Sequence, residues 1–158
     1  MKKKELQIIS EYLLKRQETV AIGESATAGL VMNYLSLAEN ATSFFQGGMT
    51  VYNLGQKTRH LAVEPIHAEQ TNSVSDRVAQ QMALEVSKVF CSHWGIGVTG
   101  YATPVPALNI KSCFAYYAFA YKSDIVSTAC LNTKLKGQRN VQEYFARKIT
   151  SAFAVYLS

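Results

Sequence analysis

The spacing of apolar positions along the chain predicts alternating helices and strands. Apolar residues that recur every three or four positions mark one face of a helix, and Val78, Met82 and Val86 show this spacing. Ser73 and Ser75 precede that run and are of the residue type that caps a helix start. The predicted helices cover Leu6–Leu13, about Thr27–Leu37, Gln56–Leu61, Asp76–Phe90 and a long closing segment after Gly137.

Strands are predicted where short runs are rich in β-branched and aromatic residues. The run Phe44–Tyr52 is interrupted by Gly47 and Gly48, and paired glycines inside a strand predict a bulge or a close backbone approach. The last two strands are separated only by Lys122–Asp124, which predicts an antiparallel pair. The predicted strands are Thr19–Glu24, Phe44–Tyr52, Trp94–Val98, Cys113–Tyr121 and Ile125–Leu131.

The order of these elements predicts an α/β fold. Helices and strands alternate over the first two thirds of the chain and a strand pair follows, so we expect a mixed sheet covered by helices on both faces. The 158 residues, 48% of them hydrophobic, suit a single domain over 1–158. No stretch has the ~20 apolar residues of a membrane span and the N-terminus lacks a signal-peptide pattern, so a soluble cytoplasmic protein is expected.

The composition argues against several classes of site. Cys91, Cys113 and Cys130 are too widely spaced for a disulfide framework or a zinc site, and we expect buried thiols. The three histidines do not have the spacing of metal ligands. No metal and no cofactor are therefore predicted.

The charge of the chain permits an anionic partner without indicating a nucleic acid. The formal net charge is +5 and the pI is about 9.1, and Lys2–Lys4 supplies three of the positive charges at the N-terminus. The other Lys and Arg residues are dispersed and do not form the basic stripe, interleaved with aromatic residues, that is typical of nucleic-acid binding. We expect a small-molecule partner, with neither a membrane nor a nucleic acid involved.

The segment Gly23–Gly29 is the first candidate for chemistry. It follows a predicted buried strand and precedes a predicted helix, so its N–H groups would face open space where the helix dipole favours an anion. Its small residues let a ligand approach the backbone closely. The segment is thus a candidate site for a phosphate or a developing oxyanion. Ser25 within it is either the N-cap of the helix or a nucleophile.

Lys57 is the candidate base for such a serine. No Asp–His pair is placed to activate Ser25, whereas a lysine can do so when burial lowers its pKa enough to leave it neutral. The alternative is a solvated lysine on a short helix. Tyr52, which lies between the glycine pair and Lys57, is either a donor to a substrate carbonyl or an ordinary strand aromatic residue.

Two further positions are candidates for binding the rest of a ligand. Thr99 and Gly100 close a strand at the carboxyl edge of the predicted sheet, where open α/β sheets bind ligands, although a plain turn is the alternative. Arg139 stands at the start of the last helix, where a positive charge opposes the helix dipole. Its guanidinium can bind a phosphate or a carboxylate, and a basic surface at the helix start is the alternative.

Five short motifs occur in an order that resembles one known family. The motifs are Glu24-Ser25-x-Thr27-x-Gly29, Gly47-Gly48-x-x-x-Tyr52 with Lys57, Val74-Ser75, Val98-Thr99-Gly100 and Gly137-x-Arg139. Over nearly the whole chain they resemble the CinA carboxy-terminal domain, the nicotinamide mononucleotide deamidase family. The resemblance implies a three-layer α/β/α fold, often homodimeric, that hydrolyses the carboxamide of this nucleotide to nicotinic acid mononucleotide and ammonia without a metal.

The resemblance also implies a role for each matching residue. Ser25 corresponds to the family's nucleophile, Lys57 to its base and Tyr52 to its tyrosine. Thr99 corresponds to its strand-end threonine, and Arg139 to its arginine, which would bind the phosphate. The remaining substrate contacts expected from the motifs are Thr27, Gly29, Gly48 and Gly100.

The chain departs from the family pattern in two places. Ala26 and Ala28 replace the cysteine and the first glycine of the family's Ser-Cys-Thr-Gly-Gly. The segment Tyr101–Ala107, with two prolines, replaces a glycine-rich loop and so removes backbone freedom and surface for close ligand approach. Two functions therefore stay open: an amidohydrolase with an altered substrate loop, and a catalytically silent CinA-like module that binds a nucleotide or a protein partner.

Overall fold

The computed structural model describes residues 3–158, so the basic run Lys2–Lys4 begins outside the described residues. Six α-helices and five strands lie within the described range. In chain order they are α1 (Lys3–Arg16), β1 (Val20–Glu24), α2 (Leu30–Ser36), β2 (Phe45–Thr50), α3 (Leu54–Leu61), α4 (Pro65–Gln70), α5 (Asp76–Val89), β3 (Trp94–Tyr101), β4 (Cys113–Tyr121), β5 (Asp124–Thr133) and α6 (Gln138–Leu157).

The strands form one mixed sheet in the order β2-β1-β3-β4-β5. β1 runs parallel to both β2 and β3, whereas β4 is antiparallel to both β3 and β5. Lys122 and Ser123 connect β4 to β5 with left-handed φ angles of 47° and 75°, as two-residue hairpin turns require. The predicted α/β class, the mixed sheet and the closing antiparallel pair are confirmed.

Helices cover both faces of the sheet because successive residues of a buried strand point to opposite sides. Ile22 of β1 packs in the core cluster that contains residues of α1, α2 and α6. Its neighbour Ala21 packs in the opposite cluster, with Leu61 of α3, Ala68 of α4 and Val86 of α5. The three-layer α/β/α arrangement is therefore confirmed.

α5 lies close against β3 because two positions of that strand are glycine. A Cβ atom at Gly95 would lie 1.9 Å from the carbonyl oxygen of Ala83, and one at Gly97 would lie 2.1 Å from that of Ala79. A side chain at either position would push the helix away from the sheet. The close packing holds the N-terminus of α5, and the loop before it, beside the carboxyl end of β3.

The glycine pair in β2 produces both predicted effects. Val20 of β1 faces Phe45 and the next residue of β1 faces Gly47, so one residue of β2 is extra and the ladder contains a bulge. Gly47 has a φ of 117°. At Gly48 a Cβ atom would lie 2.1 Å from the carbonyl oxygen of Ile22 and 2.8 Å from the sulfur of Met32. Gly48 therefore allows the close approach of β2 to β1 and α2.

α2 begins three residues later than predicted. Ala28 and Gly29 have φ angles of 50° and 94°, in the left-handed region that a right-handed helix does not use. The chain turns there before the helix starts at Leu30, with Gly29 in the cap position. The N-cap alternative for Ser25 is therefore wrong, because the serine lies several residues before the cap.

α4 was not predicted from the apolar pattern. The carboxylate of Glu64 accepts hydrogen bonds from the amides of Ile66 at 2.9 Å and His67 at 2.8 Å, and Pro65 occupies the first position of the helix. Proline at that position is a start signal. A helix of six residues, however, is too short for its apolar residues to show a helical period.

β3 is longer than predicted. Thr99–Tyr101 pair with Phe114–Tyr116 of β4, so Thr99 and Gly100 continue the strand, and their interpretation as a turn is wrong. The extra length carries Tyr101 to the rim of the pocket described below.

The prediction of buried thiols holds for Cys113 only. Cys91 and Cys130 are exposed, because one follows the C-terminus of α5 and the other lies on the edge strand β5. Within residues 3–158 no helix is long and apolar enough to cross a membrane. The same range contains no group of three or more His, Cys, Asp or Glu side chains placed to hold a metal ion.

Candidate active site

A pocket of about 430 Å³ opens at the carboxyl ends of the neighbouring parallel strands β1 and β3. Ligands of open α/β sheets bind at this edge. The predicted site residues that line it are Ser25, Tyr52, Lys57 and Gly100. The rest of the wall comes from the starts of α3 and α6, the loop before α5 and the residues after β3.

Lys57 reaches the pocket from α3 and is only 3% exposed. Its ammonium donates hydrogen bonds to the hydroxyl oxygen of Thr99 at 3.1 Å and to the carbonyl oxygen of Ser73 at 3.1 Å. The Thr99 hydroxyl in turn donates to the same Ser73 carbonyl at 2.7 Å. The three residues form a buried polar triangle, and the interpretation of Lys57 as a solvated lysine is wrong.

Burial lowers the pKa of Lys57 from its usual 10.5 to about 8. A buried ammonium loses hydration, and the two neutral oxygens beside it replace that hydration only in part. None of the ion pairs among residues 3–158 involves Lys57. The side chain therefore loses its proton near pH 8, well below the usual range of a lysine.

The Ser73 carbonyl is held in place by a strained piece of backbone. Asn72 and Ser73 both have left-handed φ angles, 49° and 59°, a conformation that asparagine tolerates and that is costly for serine. The Ser73 amide donates to the carbonyl of Ala68 at 2.6 Å, and Ser75 caps α5 by accepting from the amide of Val78 at 3.1 Å. Of the two candidate cap serines, Ser75 is the cap, and Ser73 instead presents its carbonyl to Lys57.

Ser25 directly follows β1 and is 6% exposed. Ser25 lines the pocket together with Ala26. The Ser25 carbonyl accepts from the amide of Ala28 at 3.0 Å, which tightens the turn. Within residues 3–158 the amide of Ala26 has no acceptor in hydrogen-bonding distance, and Ala26 is among the residues that line the pocket.

The carboxylate of Glu24 lies at the start of α2, where the sequence predicted a bound anion. Glu24 is fully buried, and its carboxylate accepts from the Thr27 hydroxyl and from three backbone amides. Those amides belong to Gly29 at 3.0 Å, Val31 at 3.2 Å and Met32 at 2.7 Å. Burial nevertheless raises the pKa of Glu24 above its usual value, with the hydrogen bonds opposing that rise. These three amides already have an acceptor, so they do not supply the N–H groups that were predicted to bind a phosphate or an oxyanion.

The rim of the pocket carries two tyrosines. Tyr52 is 59% exposed, so its phenol is free to turn toward a ligand. The Tyr101 hydroxyl accepts a hydrogen bond from the side-chain amide of Asn72 at 3.0 Å. This contact joins the end of β3 to the loop before α5 across the pocket wall.

Five of the expected substrate contacts lie away from the described pocket lining, and one of them, Thr99, is fully buried and bonded to Lys57. Thr27 and Gly29 donate to Glu24, and Gly48 packs against β1. Arg139 has an 89% exposed side chain whose Nε atom donates to Glu143 at 3.0 Å. The neighbouring Gln138 lines the pocket instead.

Several pocket residues were missed by the sequence reasoning. They share a position in loops or at element ends, where periodicity gives no signal. Asn72 had the clearest available signal, because asparagine tolerates the left-handed region that this turn uses. The missed residues are Asn53, Asn72, Ser73 (through its carbonyl), Tyr101 and Gln138.

Comparison with known protein families identifies the group to which this fold and site belong. The profile of the CinA C-terminal domain matches residues 2–155. The chain belongs to the CinA C-terminal domain family. The resemblance seen in the ordered motifs is thereby confirmed.

Curated relatives carry the same family name. A CinA-like protein from Picosynechococcus sp. is 38% identical over 97 residues, which cover 61% of this chain and 23% of that protein. A CinA-like protein from Koribacter versatilis is 29% identical over 144 residues, which cover 90% of this chain and 34% of that protein. The chain thus spans about a quarter to a third of the length of these relatives.

Solved structures share the fold over nearly the whole chain. The competence or damage-inducible protein from Enterobacter asburiae has a TM-score of 0.87 at 21% identity, over 99% of this chain and 98% of that chain. A competence-damaged protein (CinA) superfamily member from Klebsiella pneumoniae has a TM-score of 0.89 at 18% identity, over 98% and 96% of the two chains. At these identities the likeness establishes the fold alone.

Proposed function

We propose that the chain hydrolyses the carboxamide of a nucleotide-like small molecule, with Ser25 as nucleophile and Lys57 as base. One observation carries the proposal: Lys57 is buried, has a pKa lowered to about 8, and lines the same pocket as Ser25. Such a lysine is partly neutral near physiological pH and can take the proton of a hydroxyl. Its burial distinguishes it from the exposed lysines of the chain.

The first step transfers the acyl group to Ser25. The serine oxygen attacks the carboxamide carbon while neutral Lys57 takes the hydroxyl proton, and the carbonyl oxygen becomes an oxyanion. The N–H group of Ala26 is the candidate donor to that oxyanion. The Lys57 ammonium then returns the proton to the amide nitrogen, the carbon–nitrogen bond breaks, and ammonia leaves.

The second step releases the acid. Neutral Lys57 takes a proton from water as the water oxygen attacks the acyl carbon, and the Lys57 ammonium gives that proton to the departing Ser25 oxygen. A lysine ammonium has three N–H donors. Thr99 and the Ser73 carbonyl accept two of them, which leaves the third for the reacting atoms.

Tyr52 and Gly100 complete the proposed site. The exposed Tyr52 phenol can donate to the substrate at the pocket rim. At Gly100 a Cβ atom would lie 2.3 Å from the carbonyl oxygen of Phe114, so glycine is needed there to keep β4 close. Thr27, Gly29, Gly48 and Arg139 are left out of the proposed site because their contacts lie elsewhere.

Nicotinamide mononucleotide is the reference substrate because the family resemblance implies it. The chemistry proposed for Ser25 and Lys57 requires no metal or cofactor. A homodimer and a cytoplasmic location stay predictions from the sequence.

A catalytically silent module that binds a nucleotide or a protein partner is the second candidate, because the segment after β3 departs from the family's glycine-rich loop. Val105 and Ile110 form an isolated bridge with hydrogen bonds of 2.9 and 3.1 Å, which closes this segment on itself. Pro104 and Pro106 have no N–H group to offer a ligand. A segment of this kind offers fewer donors to a phosphate than a glycine-rich loop does.

Ammonia release from a panel of amides tests the proposal. The panel contains nicotinamide mononucleotide, nicotinamide riboside, nicotinamide and other nucleotide amides, each incubated with the wild type and with Ser25→Ala. Ser36→Ala is a matched control, since Ser36 is an exposed serine at the end of α2. We expect release by the wild type and the control, and a loss of about a thousandfold in Ser25→Ala.

The same assay separates the two candidate functions. Absence of ammonia from every amide, together with retained binding of nicotinamide mononucleotide, would establish the silent module in place of the enzyme. Equal ammonia release by Ser25→Ala and the wild type would exclude Ser25 as the nucleophile.

A further inference from the structure

A second cavity, of about 490 Å³, adjoins the candidate active site. Three lysines line it: Lys111 from the segment before β4, and Lys134 and Lys136 from the segment between β5 and α6. Some residues form part of the wall of both cavities, so a ligand can extend from one to the other. These shared residues are Ala102, Thr103 and Gln138.

The charged side chains of the residues that line this lysine cavity are all positive. No acidic residue is among the described residues that line it. The ion pairs found within residues 3–158 use none of the three lysines. The positive charges of lysines that line one cavity repel one another, and a bound anion offsets this repulsion. The lysine cavity is therefore suited to a ligand that carries several negative charges.

The other groups that the sequence suggested for binding an anion already pair with carboxylates of this chain. The amides at the start of α2 bind the carboxylate of Glu24. Arg139 projects into solvent and pairs with Glu143. The lysine cavity adjoins the Ser25 pocket, with which it shares lining residues, and it uses neither of those groups.

We propose that the lysine cavity binds an organic diphosphate group of the substrate, while the amide-bearing half occupies the Ser25 pocket. The cavity is slightly larger than the Ser25 pocket, so it has room for a group well beyond a single carboxylate. Flexible lysines act as point charges that adapt to phosphate oxygens. The placement of the amide rests on the proposed function, whereas anion binding in the cavity does not depend on it.

Titration calorimetry with inorganic pyrophosphate tests this subsite on the whole chain. The test variant combines Lys111→Ala, Lys134→Ala and Lys136→Ala. The control combines Lys4→Ala, Lys15→Ala and Lys148→Ala, which removes the same charge from exposed lysines outside the cavity. We expect the test variant to bind pyrophosphate at least about tenfold more weakly than the wild type, the control to lose less than about twofold, and binding to weaken with added salt.

Three results would overturn the proposal. One is wild-type affinity in the test variant, and another is equal weakening in both triple variants, which would mean that only net charge matters. The third is a loss of binding in Arg139→Ala that exceeds the loss in the test variant. Single substitutions of each lysine cover the case in which the triple variant fails to fold, because each is expected to lose part of the affinity.

Ser25→Ala distinguishes failure of the subsite from failure of the proposed enzyme. We expect this variant to release no ammonia and to bind pyrophosphate as the wild type does. Pyrophosphate binding in the lysine cavity without hydrolysis of any amide would leave the subsite standing and overturn the enzyme. Hydrolysis of amides without pyrophosphate binding or inhibition would do the reverse.

Discussion

The ammonium of Lys57 lies 3.1 Å from the hydroxyl oxygen of Thr99, although the two residues are 42 positions apart in the sequence. The contact joins a short helix on one side of the pocket to the last part of β3 on the other. Because the acceptors around Lys57 are neutral oxygens, the ammonium form is not stabilised by an opposite charge. The predictions on pH dependence and stability follow from this arrangement.

The rate of amide hydrolysis should rise with pH as Lys57 loses its proton. With a pKa of about 8, roughly a tenth of the lysine is neutral at pH 7 and roughly nine tenths at pH 9, so kcat/KM should increase about tenfold over this range and then level off. The measurement is a pH–rate profile of ammonia release. A profile that is flat from pH 6 to 9 would show that Lys57 is not the base.

Replacing Lys57 by methionine should abolish activity and stabilise the fold at neutral pH. The folded-state pKa lies below the unfolded one, so the charged lysine costs stability at all pH values below about 8, and this cost fades as pH rises from 8 to 10.5. The shift corresponds to about 3 kcal/mol at pH 7. In the wild type Thr99 also donates to the Ser73 carbonyl, at 2.7 Å, so we expect that acceptor to keep a partner in the variant.

Denaturant unfolding at pH 7 and pH 10 measures this effect. Lys57→Met should gain up to about 3 kcal/mol at pH 7 and much less at pH 10. The exposed Lys15→Met should change by less than about 0.5 kcal/mol at either pH. A loss of stability in Lys57→Met at pH 7 would contradict the desolvated lysine.

Glu24→Gln should weaken the turn that carries Ser25. A glutamine replaces one acceptor oxygen by an NH₂ group, which would face the backbone N–H donors that now bond to the carboxylate. We expect a loss of about 2 kcal/mol in the free energy of unfolding and a drop in turnover, because Ser25 follows Glu24 directly. Glu143→Gln, which removes only the exposed pair with Arg139, should change stability by less than about 0.5 kcal/mol. Equal stability changes in the two variants would contradict the role assigned to Glu24.

The wild type should turn over nicotinamide mononucleotide slowly, at less than ~1 s⁻¹, because Tyr101 and the residues after it take up space beside the pocket. Tyr101→Ala removes the ring and the hydrogen bond to Asn72, so kcat/KM for this nucleotide should rise relative to that for nicotinamide. Tyr101→Phe is the matched control, since it removes only the hydrogen bond. A wild-type turnover of ~1 s⁻¹ or faster would show that the altered segment does not restrict the substrate.

The sequence predicted the layers and most elements because the buried residues of a helix or a strand recur at a regular spacing. β4 was predicted with the observed ends, and the bulge at Gly47 followed from the glycine pair. The starts of the helices were predicted less accurately. Ala28 adopts a left-handed conformation that its residue type does not predict. For this reason α2 begins only at Leu30.

The site was predicted in part, for a similar reason. Ser25 and Lys57 share a pocket as expected, because they follow β1 and β2 at the same edge of the sheet. The buried carboxylate of Glu24 accepts from the α2 amides, and the sequence pattern did not predict this contact. The interpretation of Arg139 relied on its opposition to the helix dipole, which an exposed pair with Glu143 offsets without any ligand.

Covalent capture of the acyl group tests the central role of Ser25 most directly. The p-nitrophenyl ester of nicotinic acid presents the nicotinoyl group, without the ribose phosphate of the reference substrate, on a better leaving group. The intact mass followed by peptide mapping locates any adduct. We predict one nicotinoyl group on Ser25 in the wild type and none at that position in Ser25→Ala. A wild-type protein that carries no adduct on Ser25, or an equal adduct mass in both proteins, would contradict the account.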